Sequence, residues 1–345
     1  MFYFSLADKI KLGQAMNTPV SVIVCVHDEE QNLRELIPLL LNQNHSEFEI
    51  IIVNDRSNDG TYDFLLEATK KDSRLKAVHV NHKPEHVNGK KYALTLGIRA
   101  AKFDWVLLTD ADCRPANEWA RQMAGGFSES TDIVIGYSPY KQREGFLNSF
   151  IRFETIITAI QYFSFALMGM PYMGVGRNLA YRKKIFLENK GFGEHMNITG
   201  GDDDLFVGQH ANAKNVFVVL NEKATVISEP KATWKEFFTQ KIRHLSVGKH
   251  FQSKHSVKLV LFTTSWVMLG IMAFPALIFG SYQIWILSLW IARLIVMILT
   301  LNTFNNKSGE KFDLAWLPVL DFIFGFYYLV AGFKALFAKR IAWKI

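Results

Sequence analysis

The chain has 345 residues, of which 49% are hydrophobic, and it carries a formal net charge of +7. This length allows one large domain or two smaller parts, and the positive charge suits a nucleic acid, an anionic membrane surface or a phosphorylated substrate. Two cysteines, Cys25 and Cys113, exclude a disulfide-rich secreted scaffold and predict free thiols, as expected in a reducing compartment.

The first part of the chain alternates between predicted strands and helices. The apolar stretch Met1–Leu6 is too short for a signal peptide, and Asp8 and Lys9 interrupt it. We interpret residues 1–18 as an interfacial or linker segment. Continuous apolar runs then predict strands at 20–26, 49–55, 75–80 and 104–110, and helical spacing predicts helices at 29–43, 56–71 and 90–102. Repeated strand–helix units of this length predict an α/β fold with a parallel sheet and helices on both faces.

Three aspartates stand at the C-terminal ends of the second and fourth predicted strands. Asp55 ends the second strand, and Asp110 and Asp112 end the fourth. Ligands of such sheets bind beyond the carboxyl ends of the strands, and three carboxylates there would repel one another without a cation. Because Mg²⁺ is usually bound by one or two carboxylates and substrate phosphates, this rim is predicted to bind a divalent ion and a phosphate. The chain has no P-loop motif, and no G-x-G-x-x-G motif follows the first strand.

Residues 146–184 lie between the D-x-D residues and the last third of the chain. The first half of this segment is apolar at helical spacing and has few charges. Two interpretations stay open for it. It is either a helix at the membrane interface or under the first span, or a plain core helix.

The apolar residues of the last third fall into three segments long enough to cross a bilayer, Val257–Phe279, Tyr282–Phe304 and Leu314–Phe337. Basic residues at 231–258, and Lys307 and Lys311 between the second and third segments, predict that the preceding domain and this loop lie on the cytoplasmic side. Three spans would carry the basic tail across the membrane, against that rule, so the third segment is either a span or interfacial.

Two charged residues lie inside these apolar segments, and an unpaired charge there is costly. Arg293 lies near the centre of the second segment and Asp321 inside the third. An antiparallel hairpin would place them at similar depth, so we predict an ion pair. The alternative is that Arg293 faces the phosphate of an acceptor.

Six motifs appear in the order and approximate spacing of family 2 glycosyltransferases, which the chain resembles over about residues 19–250: VIVCVHDEEQNL, VNDRSNDGT, NGKKYAL, TDADCRP, GDDDLF and QKIRH. The resemblance implies inverting chemistry and a GT-A-like nucleotide-sugar-binding domain at 19–252. The apolar segments predict a transmembrane region of about three helices at 253–345. The last motif is similar to that of membrane-embedded members such as cellulose, chitin and hyaluronan synthases and ceramide glucosyltransferase.

The resemblance also implies roles for residues on the donor side. Glu29 and the backbone around Val26 would line the nucleoside pocket, Asp55 would contact the base, usually uracil, and Lys90 would lie near the base or phosphates. Asp110 would contact the sugar nucleotide. Lys90 and Glu29 also have plain structural interpretations, as an exposed helix lysine and as a first-turn acid favoured by the helix dipole.

Further roles follow for the metal and the acceptor side. Asp112 would bind Mg²⁺ or Mn²⁺ on the diphosphate, and Gln240, Arg243 and His244 match the Q-x-x-R-W motif that closes over the diphosphate and acceptor. His244 stands where this motif has Trp, so the acceptor is expected to differ from that of polymer-making relatives. Asp28, where asparagine is usual, is a milder departure.

The acidic triplet in GGDDDLF at 200–206 is expected to hold the catalytic base, a carboxylate that takes the proton of the acceptor hydroxyl. Aligning on the G-D-D form of the motif places the base at Asp203, which we prefer. Aligning on an E-D-x-D-L form places it at Asp202. One of the three carboxylates is expected to serve only as an acidic helix start.

The sequence therefore predicts a metal-dependent membrane enzyme, with its catalytic domain on the cytoplasmic side of the inner or plasma membrane if the source is bacterial. It would move a sugar from a nucleotide-sugar donor, expected to be a UDP-sugar, to a lipid or glycolipid acceptor. A processive polysaccharide synthase and a catalytically inactive membrane scaffold are the alternatives. No nucleic-acid partner is expected, because the basic residues flank the apolar segments.

Overall fold

The computed structural model describes residues 17–279 and 282–338. The predicted segment 1–18 lies almost entirely outside these residues. Seven strands form the central sheet, in the order β3-β2-β1-β4-β7-β6-β8, and two more strands, β5 and β9, form a small antiparallel pair. The strands are β1 (Val20–Val26), β2 (Phe48–Asp55), β3 (Leu75–Val80), β4 (Trp105–Leu108), β5 (Cys113–Pro115), β6 (Ile133–Ile135), β7 (Leu179–Arg182), β8 (Val216–Val218) and β9 (Val226–Ser228).

The four predicted strands are present and parallel, with β1 between β2 and β4. The expected GT-A-like α/β fold is therefore confirmed, but the sheet is mixed. β7 runs antiparallel to both β4 and β6, while β6 and β8 are parallel. An apolar run indicates that a strand is buried and carries no information on its direction, so the reversal at β7 could not be predicted from the pattern.

Helices cover both faces of the sheet. Those of the sheet domain are α1 (Glu30–Leu41), α2 (Thr61–Lys71), α3 (Gly89–Ala100), α4 (Trp119–Ala124), α5 (Phe146–Leu167), α6 (Lys183–Glu188), α7 (Asp204–His210) and α8 (Trp234–Val247). Three long apolar helices follow, α9 (Ser253–Phe279), α10 (Gln283–Ser308) and α11 (Leu317–Phe337).

Helix α5 is a buried core helix, which decides between the two interpretations of this segment. On one side the hydroxyl of Tyr162 donates to the carbonyl oxygen of Gly136 next to β6, at 2.9 Å. On the other side Phe153 packs against Phe312 and Phe324, which belong to the C-terminal region. The helix is apolar nearly all round because it lies between the sheet and the last helices.

Among the described residues, three helical segments are long and apolar enough to cross a membrane by length and composition: α5, α10 and Leu314–Phe337, which includes α11. The first of these is 89% buried inside the protein, whereas α10 is only 17% buried. Helix α9 matches the first predicted segment and packs against α10 and α11. Large apolar side chains such as Leu261, Ile284 and Phe333 are exposed on these helices, as expected for surfaces that face lipid.

The predicted ion pair between α10 and α11 is confirmed. Arg293 makes a two-pronged contact with Asp321, and Nη2 lies 2.7 Å from Oδ1. The guanidinium also lies over the ring of Trp266 in α9, 4.9 Å from its centroid. One arginine thus joins all three C-terminal helices.

The loop between α10 and α11 is bound to the sheet domain. Arg152 of α5 forms an ion pair with Glu310 and donates to the carbonyl oxygen of Lys311 at 3.0 Å. Glu310 also accepts a hydrogen bond from the hydroxyl of Tyr137, at 3.1 Å. Both members of the ion pair are largely buried, so this loop lies on the same side of the apolar helices as the sheet.

Candidate active site

A cavity of about 1320 Å³ lies beyond the carboxyl ends of the parallel strands. Nine of the residues singled out in the sequence line it: Glu29, Lys90, Asp110, Asp112, Asp202, Asp203, Gln240, Arg243 and His244. Val26 and Asp55 do not. Val26 is buried in the core, and the carboxylate of Asp55 is fully buried and paired with Arg56 at 2.8 Å.

Lys90 holds the two acidic sides of the cavity together. It stands in the first turn of α3, which the side chain of Asn88 caps. Its Nζ lies 3.3 Å from Oδ1 of Asp110 and 3.0 Å from Oδ2 of Asp202. Burial disfavours the charged amine, but the surrounding carboxylates outweigh burial and raise the pKa of Lys90 well above its usual value. Lys90 is therefore a permanent cation at the centre of the site.

Asp110 and Asp112 lie in the loop between β4 and β5, where ligand atoms of these two residues and Cys113 come within 4.8 Å of one another. Burial and the charge of Asp110 raise the pKa of Asp112, as expected for a carboxylate whose natural partner is a cation. Burial also raises the pKa of the Cys113 thiol, which therefore stays protonated. The two carboxylates fit a hard divalent cation such as Mg²⁺ or Mn²⁺, and the neutral thiol does not add to that set.

Arg177 is a site residue that the sequence interpretation missed. Its Nε donates to Oγ of Ser138 at 2.6 Å, and its Nη1 donates to the hydroxyl of Tyr140 at 3.2 Å. Its positive charge lowers the pKa of Asp112 against the effect of burial. The signal available was its place in the short stretch GVGRN before β7, which the sequence analysis did not single out.

The acidic triplet begins α7, and its three members have different surroundings. Asp202 pairs with Lys90, which outweighs burial and holds the pKa of that carboxyl below its usual value. Asp203 caps the helix: one oxygen accepts from the backbone N–H of Gly176 at 2.7 Å, and the other from that of Asp204 at 2.8 Å. Burial and the charge of Asp202 raise the pKa of Asp203.

Asp204 is the third carboxylate of the triplet, and its surroundings stabilise its negative charge least. Its Oδ1 is buried and has no hydrogen-bond partner in the part of the chain that the structure describes. Burial, together with the charges of Asp203 and Asp202, raises the pKa of Asp204 well above its usual value. A buried polar oxygen without a partner is costly, so a ligand group that donates a hydrogen bond there would be favoured.

Helix α8 closes the cavity on the side of the apolar helices. The amide nitrogen of Gln240 lies 3.4 Å from the hydroxyl of Tyr140, and Nη2 of Arg243 lies 3.5 Å from Nε2 of His244. Burial and the neighbouring cation of Arg243 lower the pKa of His244 well below its usual value, so the imidazole is neutral at physiological pH. Lys241, on the same helix, forms a buried ion pair with Glu154 of α5.

The cavity does not end at these polar groups. It continues between α9 and α11, where Leu259 and Thr263 line one wall and Gly332 and Leu336 the other. Its polar end thus combines fixed cations with carboxylates, two of which fit a divalent cation, and its far end is apolar. Such a site can bind a phosphorylated ligand and place a second, apolar molecule next to a carboxylate.

Comparison with known proteins gives a consistent result. The profile "Glycosyl transferase family group 2" matches residues 105–305, and "Glycosyl transferase family 2" matches residues 21–188. EpsH of Bacillus subtilis, named as a glycosyltransferase, is 34% identical over 121 residues, covering 35% of this chain and 34% of EpsH. The poly-beta-1,6-N-acetyl-D-glucosamine synthase of Staphylococcus epidermidis is 28% identical over 120 residues, covering 32% of this chain and 28% of the synthase.

A solved structure matches almost the whole chain. The mannosyltransferase PcManGT from Pyrobaculum calidifontis, in complex with GDP-Man and Mn²⁺, superposes with a TM-score of 0.62 over 98% of this chain and 94% of that one, at 15% identity. At this identity the match concerns the fold. The sequence matches to the curated relatives span about a third of those proteins' length.

Proposed function

Because the chain belongs to the family 2 glycosyltransferases, we propose that it transfers a sugar with inversion from a nucleotide-sugar donor to a lipid-linked or membrane-associated acceptor. One observation carries this proposal. A single cavity contains the D-x-D pair, the acidic triplet and the arginine of α8, and it continues between two apolar helices. Donor chemistry and access from a membrane would therefore meet at one place.

On the donor side of the cavity, each polar group has a proposed role in binding the nucleotide sugar. Asp112, with Asp110, would hold Mg²⁺ or Mn²⁺, which when bound neutralises negative charge on the donor diphosphate. Arg243 and Gln240 face the same cavity from α8 and would bind the diphosphate. PcManGT is described with GDP-Man and Mn²⁺, so the donor panel has to include GDP-sugars beside the UDP-sugars that the sequence favours.

The acceptor hydroxyl needs a base, and we propose Asp202 for this task. The base takes the hydroxyl proton while the acceptor oxygen bonds to the anomeric carbon, and the bond from that carbon to the diphosphate oxygen breaks. Asp202 lies next to Lys90 and Asp110, facing the donor side. Both oxygens of Asp203 accept backbone N–H groups at the start of α7. The sequence favoured Asp203, whose raised pKa would suit a base, so the two carboxylates have to be compared directly.

The experiment begins with purified protein, a panel of UDP- and GDP-sugars, and Mg²⁺ or Mn²⁺, with donor hydrolysis as the readout. Asp202→Asn should lower turnover about 10²–10⁴-fold while donor affinity stays unchanged, because only the proton acceptor is lost. Asp203→Asn should reduce stability through the weakened helix cap and lower turnover less. If Asp203→Asn alone abolishes turnover in a folded protein, Asp203 is the base. If no donor is hydrolysed under any condition, the inactive-scaffold alternative holds.

A processive polysaccharide synthase is the second candidate, since the chain is similar over 120 residues to a poly-beta-1,6-N-acetyl-D-glucosamine synthase. The length of the product distinguishes the two functions. A single added sugar per acceptor supports our proposal, and a polymer overturns it in favour of the synthase.

A further inference from the structure

The apolar arm of the cavity is the starting point. From the acidic triplet it runs between α9 and α11, and its walls are Leu259 and Thr263 on one side and Gly332 and Leu336 on the other. Val260 and Leu336 at these helices are 61% and 65% exposed. Apolar side chains therefore continue from the interior of the cavity to the outer surface of the helices.

Gly332 keeps this arm open. A Cβ added at this position would meet no atom within 4 Å in the part of the chain that the structure describes. The residue lies in the second half of a regular helix and lacks a positive φ, so its backbone does not require glycine. The empty space beside it belongs to the cavity, which is consistent with room kept for a ligand.

The polar groups at the inner end of the arm favour a neutral head group. Lys90 is already bonded to Asp110 and Asp202, and Lys241 to Glu154. Within the acidic triplet, the buried Oδ1 of Asp204 lacks a hydrogen-bond partner among the described residues. This carboxyl can accept a hydrogen bond from a hydroxyl group, and the negative charge of the neighbouring Asp202 disfavours a phosphate at the same place.

We infer that the arm between α9 and α11 is a lateral entrance for a lipid acceptor. Its hydrocarbon chain lies beside Gly332, and its uncharged head group presents a hydroxyl to the acidic triplet. This inference rests on the proposed function and specifies its acceptor as a neutral hydroxyl-bearing lipid of the diacylglycerol type. Entry from the side lets the lipid keep its chain among the other membrane lipids while only the hydroxyl reaches the base.

Photolabelling tests the entrance without requiring sugar transfer. The full chain is reconstituted in phosphatidylcholine vesicles that contain a diacylglycerol with a diazirine in one acyl chain, and the labelled peptides are identified by mass spectrometry after irradiation. The label should fall on the facing walls of α9 and α11. Gly332→Leu should lower it about tenfold, because the new side chain excludes a few methylene groups from the groove, and Gly332→Ala should lower it less.

Two controls keep the test decisive. Phe333→Leu changes a side chain that is 66% exposed on the same helix and outside the cavity, and it should leave the labelling unchanged. If Gly332→Leu does not fold, as judged by its melting temperature in detergent, Thr263→Phe narrows the same groove from α9 and should give the same loss.

The inference is overturned if the groove variants label as strongly as the parent, or if the label falls on the outer faces of the helices. Competition decides the head group: unlabelled diacylglycerol should reduce labelling more than phosphatidic acid does. Because Lys249 also lines the cavity, stronger competition by phosphatidic acid would assign the entrance to a lipid phosphate and overturn the neutral head group.

Donor hydrolysis is measured in parallel. Hydrolysis without groove labelling refutes only the entrance, and groove labelling without hydrolysis refutes only the proposed function.

Discussion

At the scale of single residues, Lys90 determines how the carboxylates of the site coexist. Its amine contacts Asp110 from the D-x-D loop and Asp202 from the acidic triplet. Without a cation between them, these groups would repel one another in a buried cavity. A metal ion that enters the site therefore binds carboxylates that already have one positive charge, that of Lys90, beside them.

Asp112 provides a direct test of the metal site. Asp112→Asn should weaken the binding of a nucleotide sugar in the presence of Mn²⁺ by about tenfold or more, because the ion loses a charged ligand. Calorimetric titration with and without Mn²⁺ measures the change. Asp63→Asn, which removes an exposed carboxylate from α2, is the matched control and should bind as the parent does. Equal donor affinity of Asp112→Asn with and without the metal would contradict the assignment.

Lys91, next to Lys90, predicts a pH dependence of stability. It is fully buried, its Nζ donates to the carbonyl oxygen of His195 at 2.6 Å, and burial lowers the pKa of Lys91 to about 8. Between pH 8 and the usual lysine pKa, the unfolded chain holds more protons than the folded one, so the free energy of unfolding rises with pH in that window.

The comparison with Lys91→Met isolates this effect. From pH 7 to pH 10 the melting temperature of the parent in detergent should rise relative to that of the variant, whichever is more stable at pH 7. A difference that does not change across this window would show that Lys91 titrates at its ordinary value.

At the scale of helices and strands, α5 explains what the sequence could and could not predict. Its length and apolar pattern were visible, but a helix buried under other helices and a helix under a membrane surface have the same pattern. The deciding contacts, such as Arg152 with Glu310, join residues 158 positions apart. The pairing of Lys241 with Glu154 and the position of Arg177 were missed for the same reason, since neither lies in a local motif.

The pair Arg293–Asp321 was predictable because a charge in an apolar helix needs a partner. The short loop between the two segments implied an antiparallel hairpin, which set the relative depth of the two residues. The positions of the charges and the hairpin were therefore enough to predict the ion pair. The positions of Asp110 and Asp112 were predictable on similar grounds, because the ends of parallel strands lie at one edge of the sheet. The same rule did not show that Asp55 would be buried against Arg56 and lie outside the cavity.

This pair makes a prediction about the packing of α10 against α11. Arg293→Leu and Asp321→Leu should each lower the melting temperature in detergent, because each leaves a buried charge without its partner, a loss of about 3 kcal/mol. The double variant should recover much of that loss. Lys334→Leu, at an exposed position near the end of α11, serves as a control for the removal of a charge. Strictly additive losses would show that the two residues are not coupled in solution.

At the scale of the whole molecule, the site lies at the boundary between the sheet domain and the apolar helices. The predicted arrangement, with the sheet domain and the loop between α10 and α11 on one side, agrees with the contact of Glu310 with Arg152. Which side of a membrane this is stays a prediction from the distribution of basic residues. In the proposed function the sheet would bind one substrate at its strand ends and α9 and α11 would admit the other, so the reaction would need both parts.

The packing of α5 also sets an order of events during synthesis. Arg152 and Glu310 are separated by 158 residues, which a ribosome takes on the order of 10–30 s to translate. Until the later segment emerges, the face of α5 that carries Arg152 and Phe153 has no cover, although the first four strands of the sheet are already made. We therefore expect the nascent chain to hold an exposed apolar surface during this interval, and a chain cut after residue 252 to retain it permanently and aggregate. Folding of the catalytic half is thus timed by the arrival of the last helices.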